Sequence, residues 1–107
     1  MTAPVRSFDH QFAPTRIVFG PGRLAEVGDE VARLGASRAM VIMSGHAPGG
    51  DTVTAALGDR AALTWHEIAQ HVPVDIASRA TAAARDARVD VIVSLGGGSA
   101  TGLAKAV

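Results

Sequence analysis

The stretch best equipped to do chemistry is Gly96-Gly97-Gly98-Ser99, set between the apolar run Val91-Ile92-Val93-Ser94-Leu95 and a segment from Ala100 to Val107 that starts as a helix. Successive glycines let backbone N–H groups approach a phosphate with no Cβ in the way. A helix beginning there adds a partial positive charge, and Ser99 adds a hydroxyl donor. The chemistry implied is pyrophosphate binding, which needs no side-chain cation. The competing reading is a tight strand-to-helix turn and nothing more, and the local pattern leaves both open. The run lacks the third glycine of Gly-x-Gly-x-x-Gly, because Thr101 stands in its place, and it lacks the Gly-Lys-Ser/Thr of a P-loop. A standard dinucleotide fold also carries its glycine turn after its first strand.

The remaining polar candidates carry less. His10, His46, His66 and His71 show no zinc spacing, and His66 and His71 are five apart around a strand end. They read as strand and loop surface. There is no Cys, which excludes a disulfide framework and a thiolate metal site. Trp65 reads as a packing residue rather than a stacking platform, and Asp75, just before Ile76, as a helix cap.

The elements that position the glycine turn alternate as strand, helix, strand, helix. Residues 16–20 form a short strand, with residues 7–12 as its antiparallel neighbour across a turn at Pro14. Leu24, Val27, Val31 and Leu34 share one helix face, with Pro21 near the start and Gly35 as terminator. Gly28 inside that helix costs about 1 kcal/mol of propensity relative to Ala. Ala39-Met40-Val41-Ile42-Met43 is continuously apolar, the mark of a parallel strand covered on both faces. A loop from Ser44 to Gly50 follows, then a short helix to Leu57 capped by Asp51. Residues 63–68 read as another strand, interrupted by Trp65-His66-Glu67. After Pro73, the residues Ile76, Ala80, Ala83, Ala84 and Ala87 form a narrow small-residue helix face. Residues 90–95 are the clearest strand. Three parallel strands with intervening helices make a doubly wound arrangement. The last helix stops without a cap or breaker, so the chain is expected to be cut off inside an element.

Composition removes several function classes. The chain has 107 residues, ten basic and ten acidic, and nine of the ten basic residues are Arg. With no basic field and no run of like charge, nucleic acid is not an expected partner. No apolar stretch approaches the ~20 residues that span a bilayer. The first residues lack a secretory pattern, so the expected location is cytoplasmic.

The segment Val93-Ser94-Leu95-Gly96-Gly97-Gly98-Ser99-Ala100-Thr101-Gly102-Leu103-Ala104-Lys105-Ala106 resembles the Gly-Gly-Gly-Ser signature of iron-containing alcohol dehydrogenases. Gly at 102, where the broad family usually has Asp, followed by Leu-Ala-Lys, resembles the maleylacetate reductase branch. Arg16-Ile17-Val18-Phe19-Gly20-Pro21-Gly22, Leu34-Gly35-Ala36-Ser37-Arg38-Ala39 and His71-Val72-Pro73 support that branch. The resemblance covers essentially the whole chain. It implies an α/β fold with a Rossmann-like parallel sheet and flanking helices, the amino-terminal domain of a dehydroquinate synthase-like fold, here truncated. Residues 1–107 would be the NAD(P)-binding domain, incomplete and without its helical catalytic domain.

The activity implied is reduction of maleylacetate to 3-oxoadipate with NAD(P)H in aromatic compound degradation. The alternatives are another alcohol dehydrogenase of the family, or a non-catalytic nucleotide-binding module. Gly96, Gly97, Gly98 and Ser99 match the family's pyrophosphate turn. Ser44 matches a position where some members carry an Asp that holds the adenosine ribose. A Ser makes no carboxylate-to-diol contact and does not repel a 2′-phosphate, so the choice between NADH and NADPH stays open. Lys105 matches a recurrent Lys and reads as solvated helix surface. Catalytic residues would lie in the second domain, and a metal is expected only in the complete enzyme, a homodimer acting on a small molecule. The chain alone is expected to be inactive.

Overall fold

The computed structural model describes residues 15–107. A 3-10 helix, Arg23–Glu26, leads into α1, Val27–Arg33; then come β1, Ala39–Met43, and α2, Gly50–Leu57. A second 3-10 turn, Gly58–Arg60, precedes β2, Ala61–Trp65, followed by α3, Val74–Asp86, β3, Val91–Leu95, and α4, Gly98–Ala106. The three strands form one parallel sheet in the order β2-β1-β3.

The alternation of β1 divides the core in two. All five of its residues are buried. Ala39, Val41 and Met43 pack with Val31, Val53 and Leu57 on the face covered by α1 and α2. Met40 and Ile42 pack with Ile76, Ala80, Ala100 and Leu103 on the face covered by α3 and α4. Successive strand side chains point to opposite faces, so a strand covered on both sides must be apolar throughout. That is what the unbroken run Ala-Met-Val-Ile-Met predicts.

Several expectations shift. Residues 15–19 form no strand, and Ile17 and Phe19 are exposed. Among the described residues this segment has no ladder partner; the strand and turn expected at 7–12 and Pro14 lie outside them. Arg16 instead reaches Glu30 on α1 at 3.0 Å. The helix expected through Leu24 and Leu34 buries only Gly28 and Val31. Its first turn is 3-10, three residues per turn, which moves Leu24 out of phase, and Leu34 lies past the last helical residue. Gly28 is a packing contact rather than a propensity defect: a Cβ there would run into the backbone carbonyl of Ala56 on α2.

β2 begins and ends earlier than the pattern 63–68 suggests, and its register slips by one residue opposite Ala39 and Met40. It stops at Trp65 because side chains take over from the ladder: the Trp65 indole N–H donates to the Glu67 carbonyl at 2.8 Å. The ring packs against the second core cluster, as expected. Neither acidic residue proposed as a cap serves as one. α2 begins after Gly49 and α3 after Pro73, and neither helix has a side-chain cap. Asp51 and Asp75 sit inside the first turns, where a negative charge suits the helix dipole. Asp75 faces Arg79 at 3.5 Å.

Candidate functional site

Because all three strands are parallel, their carboxyl ends share one edge of the sheet, and α2, α3 and α4 each begin there. This is the edge where open α/β sheets hold ligands. β1 pairs with β3 through Met43 and Leu95 at their last positions. Ser44 and Gly96 are the next residue on each, so the structure brings both sequence-derived candidates to the ends of neighbouring strands, which lie ~4.8 Å apart in any sheet.

The three glycines are not equivalent. Gly96 has φ of 121°, a conformation that L side chains rarely adopt, and it makes the turn out of β3. Gly97 is the N-cap of α4 with φ of −86° and ψ of −162°, extended backbone open to any residue. Among the described residues, a Cβ added at Gly96, Gly97 or Gly98 would meet nothing within 4 Å. The tight-turn reading therefore accounts for Gly96 alone. Neither strain nor crowding inside the chain requires glycine at Gly97, and crowding does not require it at Gly98.

The amino end of α4 is correspondingly bare. Among the described residues no side chain caps it, and its first turn contains no acidic residue. The first N–H groups of a helix have no partner within the helix. Thr101, by contrast, returns both its backbone N–H and its hydroxyl to the Gly97 carbonyl, at 3.3 and 3.4 Å. Ser99 is half-buried and does not cap the helix. The arrangement presents uncapped donors to an open space from which side chains have been removed.

Ser44 is exposed and opens into a polar hollow of about 720 Å³. His46, Thr52, Thr54, Thr64 and His66 also line it, but none of the glycine-turn residues does. His66 is exposed, as its sequence context implies, yet its ring is held: Nδ1 donates to the Met43 carbonyl at 3.0 Å. A carbonyl can only accept, so Nδ1 carries the proton and Nε2 is left to bind something else. The signal in the sequence was the polar break Trp65-His66-Glu67 at a strand end. His71 is exposed at the end of the loop leading to α3.

Other groups belong elsewhere. Glu67 pairs with Arg79 at 2.5 and 2.6 Å. That bond holds the Glu67 carboxyl below its usual range and raises the Arg79 guanidinium. Lys105 is exposed in the last turn of α4, as expected of solvated surface. Among the described residues no group of three or more His, Cys, Asp or Glu could hold a metal ion. No helix among them is long and apolar enough to cross a membrane. An apolar groove of about 810 Å³ beside Phe19, Leu24 and Leu34 includes none of the carboxyl-edge residues.

Residues 14–107 match the sequence profile of the iron-containing alcohol dehydrogenase family. The chain is 45% identical over 104 residues to a maleylacetate reductase of Rhizobium sp. (strain MTP-10005), covering 96% of this chain and 30% of that protein. Its fold matches the crystal structure of a maleylacetate reductase from Agrobacterium tumefaciens with a TM-score of 0.80 at 44% identity, covering 95% of this chain and 29% of that one. An iron-containing alcohol dehydrogenase from Corynebacterium glutamicum matches with a TM-score of 0.74 at 34% identity, over 96% and 29% of the two chains. The chain thus spans about 30% of the length of the relatives it matches.

Proposed function

The chain belongs to the iron-containing alcohol dehydrogenase family, and we propose that it forms the nucleotide-binding part of an NAD(P)H-dependent oxidoreductase that reduces maleylacetate to 3-oxoadipate. The observation that carries this reading is the glycine turn. Gly97 lacks a side chain that neither its backbone nor its neighbours forbid, at the uncapped start of a helix on the ligand edge of a parallel sheet. A pyrophosphate lying against that backbone gives the missing side chain a physical reason.

The residues then divide the work as follows. Backbone N–H groups at the start of α4 donate to pyrophosphate oxygens, and the helix dipole favours the same charge. The Ser99 hydroxyl adds a donor, and the left-handed Gly96 aims the turn at the ligand. Ser44 and its polar hollow receive the adenosine end, where a hydroxyl tolerates either a 2′-hydroxyl or a 2′-phosphate. The nicotinamide supplies a hydride, and the protein's part is to hold it in place against the substrate. A helical second domain would complete the cleft and contribute the catalytic groups and any metal. In the complete enzyme we place the protein in the cytoplasm as a homodimer acting on a small carboxylic substrate.

The reading is tested by titrating NADH fluorescence in the full-length protein and in Gly97→Val. The extended backbone at 97 admits valine and its Cβ meets no described neighbour, so the variant should fold while losing affinity by about 100-fold, as expected when a ligand is forced off its seat. Unchanged affinity in the folded variant would refute the assignment.

A further inference from the structure

One helical turn beyond Gly98, Gly102 faces the loop that joins β2 to α3. A Cβ built at Gly102 would meet Val72 Cγ2 at 3.0 Å, inside the optimal separation of about 3.5–4.0 Å between carbon atoms. Neither side gives way easily. α4 is pinned to the sheet by Ala100 and Leu103, which are 4% and 2% exposed. Val72 is β-branched, with few rotamers to choose from, and its backbone is unusual: φ is 63° at His71 and 45° at Val72. Two adjacent non-glycine residues in the left-handed region persist only where their surroundings over-determine them, and such outliers cluster at ligand sites. Here the surroundings are the second core cluster, into which Val72 packs, and Pro73, the N-cap of α3.

The turn is therefore a braced piece, fixed between β2, α3 and α4. It lies on the sheet edge that holds the glycine turn, since it follows the carboxyl end of β2 and precedes the amino end of α3. We infer that Gly102 is a positioning residue for the nucleotide: by lacking a side chain it seats the His71-Val72 turn against α4, and so fixes that turn as a wall of the site beside residues 96–99. This rests on the pyrophosphate reading above and adds to it the feature that sets the width of the site.

The test is a double-mutant cycle in the full-length protein, with NADH and NADPH dissociation constants and thermal midpoints measured for each member. Gly102→Ala pushes the turn outward and should weaken both cofactors about 10-fold. Its midpoint should fall modestly, because the collision with a braced Val72 outweighs the helix preference for Ala over Gly. Val72→Ala leaves the turn loose and should cost about 3-fold; the double variant, whose new methyl fills the space left by Val72, should return to within about 3-fold of the parent. Unchanged affinity in Gly102→Ala, or penalties that multiply in the double variant, would overturn the inference. Should Gly102→Ala fail to melt cooperatively, the double variant decides, because it lacks the collision: it must fold and bind, and its failure counts against the proposal. Gly97→Val separates the two levels. Loss of binding there with neutral Gly102 and Val72 variants overturns this inference alone, whereas intact binding there overturns the pyrophosphate reading and this inference with it.

Discussion

The two edges of the sheet solve the same problem in opposite ways. At the amino edge, where β1 and β3 begin, the Asp90 carboxylate accepts from the backbone N–H of Ser37 at 3.0 Å and of Arg38 at 2.9 Å, with the Ser37 hydroxyl at 3.4 Å. The Asp90 N–H in turn donates to the Arg38 carbonyl at 2.9 Å. At the carboxyl edge the first turn of α4 holds no acidic residue, and no side chain among the described residues caps it. Backbone donors gathered in one place attract an anion. One edge supplies its own, and that edge is structural. The other is left open, and the space above it is cleared of side chains.

The largest loss of stability in this comparison should come from Gly96→Ala. At φ of 121° an added Cβ is strained whatever room surrounds it. The folded state should lose about 1–2 kcal/mol in urea melts, and NADH affinity should fall by about 10-fold or more as the turn relaxes. An unchanged urea midpoint would mean that the turn tolerates a side chain.

A smaller effect is expected next to it, in the Ser44 hollow. Ser44→Asp introduces a carboxylate that can accept from ribose hydroxyls and repels a 2′-phosphate. The ratio of kcat/KM for NADH over NADPH should rise about 10-fold, or about 1.4 kcal/mol. A ratio that does not move would place the adenosine end elsewhere.

At the closed edge the expected change is the smallest, and it depends on pH. The Ser37 and then the Arg38 backbone N–H groups hold the Asp90 carboxyl below its usual value. A carboxyl depressed in the folded state stabilises the fold fully above its unfolded value of about 4, and that stability is lost as pH falls through the folded value. Asp90→Ala should therefore lower the thermal midpoint modestly at pH 7. The two proteins should converge as pH falls through the folded value, below which neither carries the charge. A gap that persists at low pH would show that Asp90 acts through packing and not through its charge. Cofactor affinity should stay unaltered throughout.

What the sequence disclosed follows from which forces are local. β1 is legible because burial on two faces leaves an unbroken apolar run, β3 because Val91, Ile92 and Val93 are β-branched and run into glycines, and α3 because Ile76 and Ala80 repeat at helical spacing. The glycine turn is visible as a motif, but only coordinates separate Gly96, glycine for its backbone, from Gly97, glycine with no internal cause. The misses are contacts between distant segments. Gly28 reads as a helix defect until Ala56 is found against it, and Gly102 reads only as a mark of the family branch until Val72 is found against it. Residues 16–20 have strand composition but no ladder partner among the described residues, and the side-chain bonds of Trp65 and His66 end β2 early. Asp51 and Asp75 look like caps because acidic residues favour helix starts, yet Gly49 and Pro73 occupy the cap positions.

The central claim is that α4 is left uncapped so that an external anion can take the place a side chain would fill. Gly97→Asp tests it by giving the carboxyl edge what the amino edge already has. Asp at an N-cap bonds the first-turn N–H groups and should stabilise the fold by a few tenths of a kcal/mol up to about 1 kcal/mol relative to Gly. The same carboxylate would occupy and repel the pyrophosphate site. Thermal melts and NADH titrations on the same full-length protein should therefore move in opposite directions, with a midpoint that holds or rises and an affinity that falls by about 100-fold. A stabilised Gly97→Asp protein that binds NADH as tightly as its parent would contradict the account.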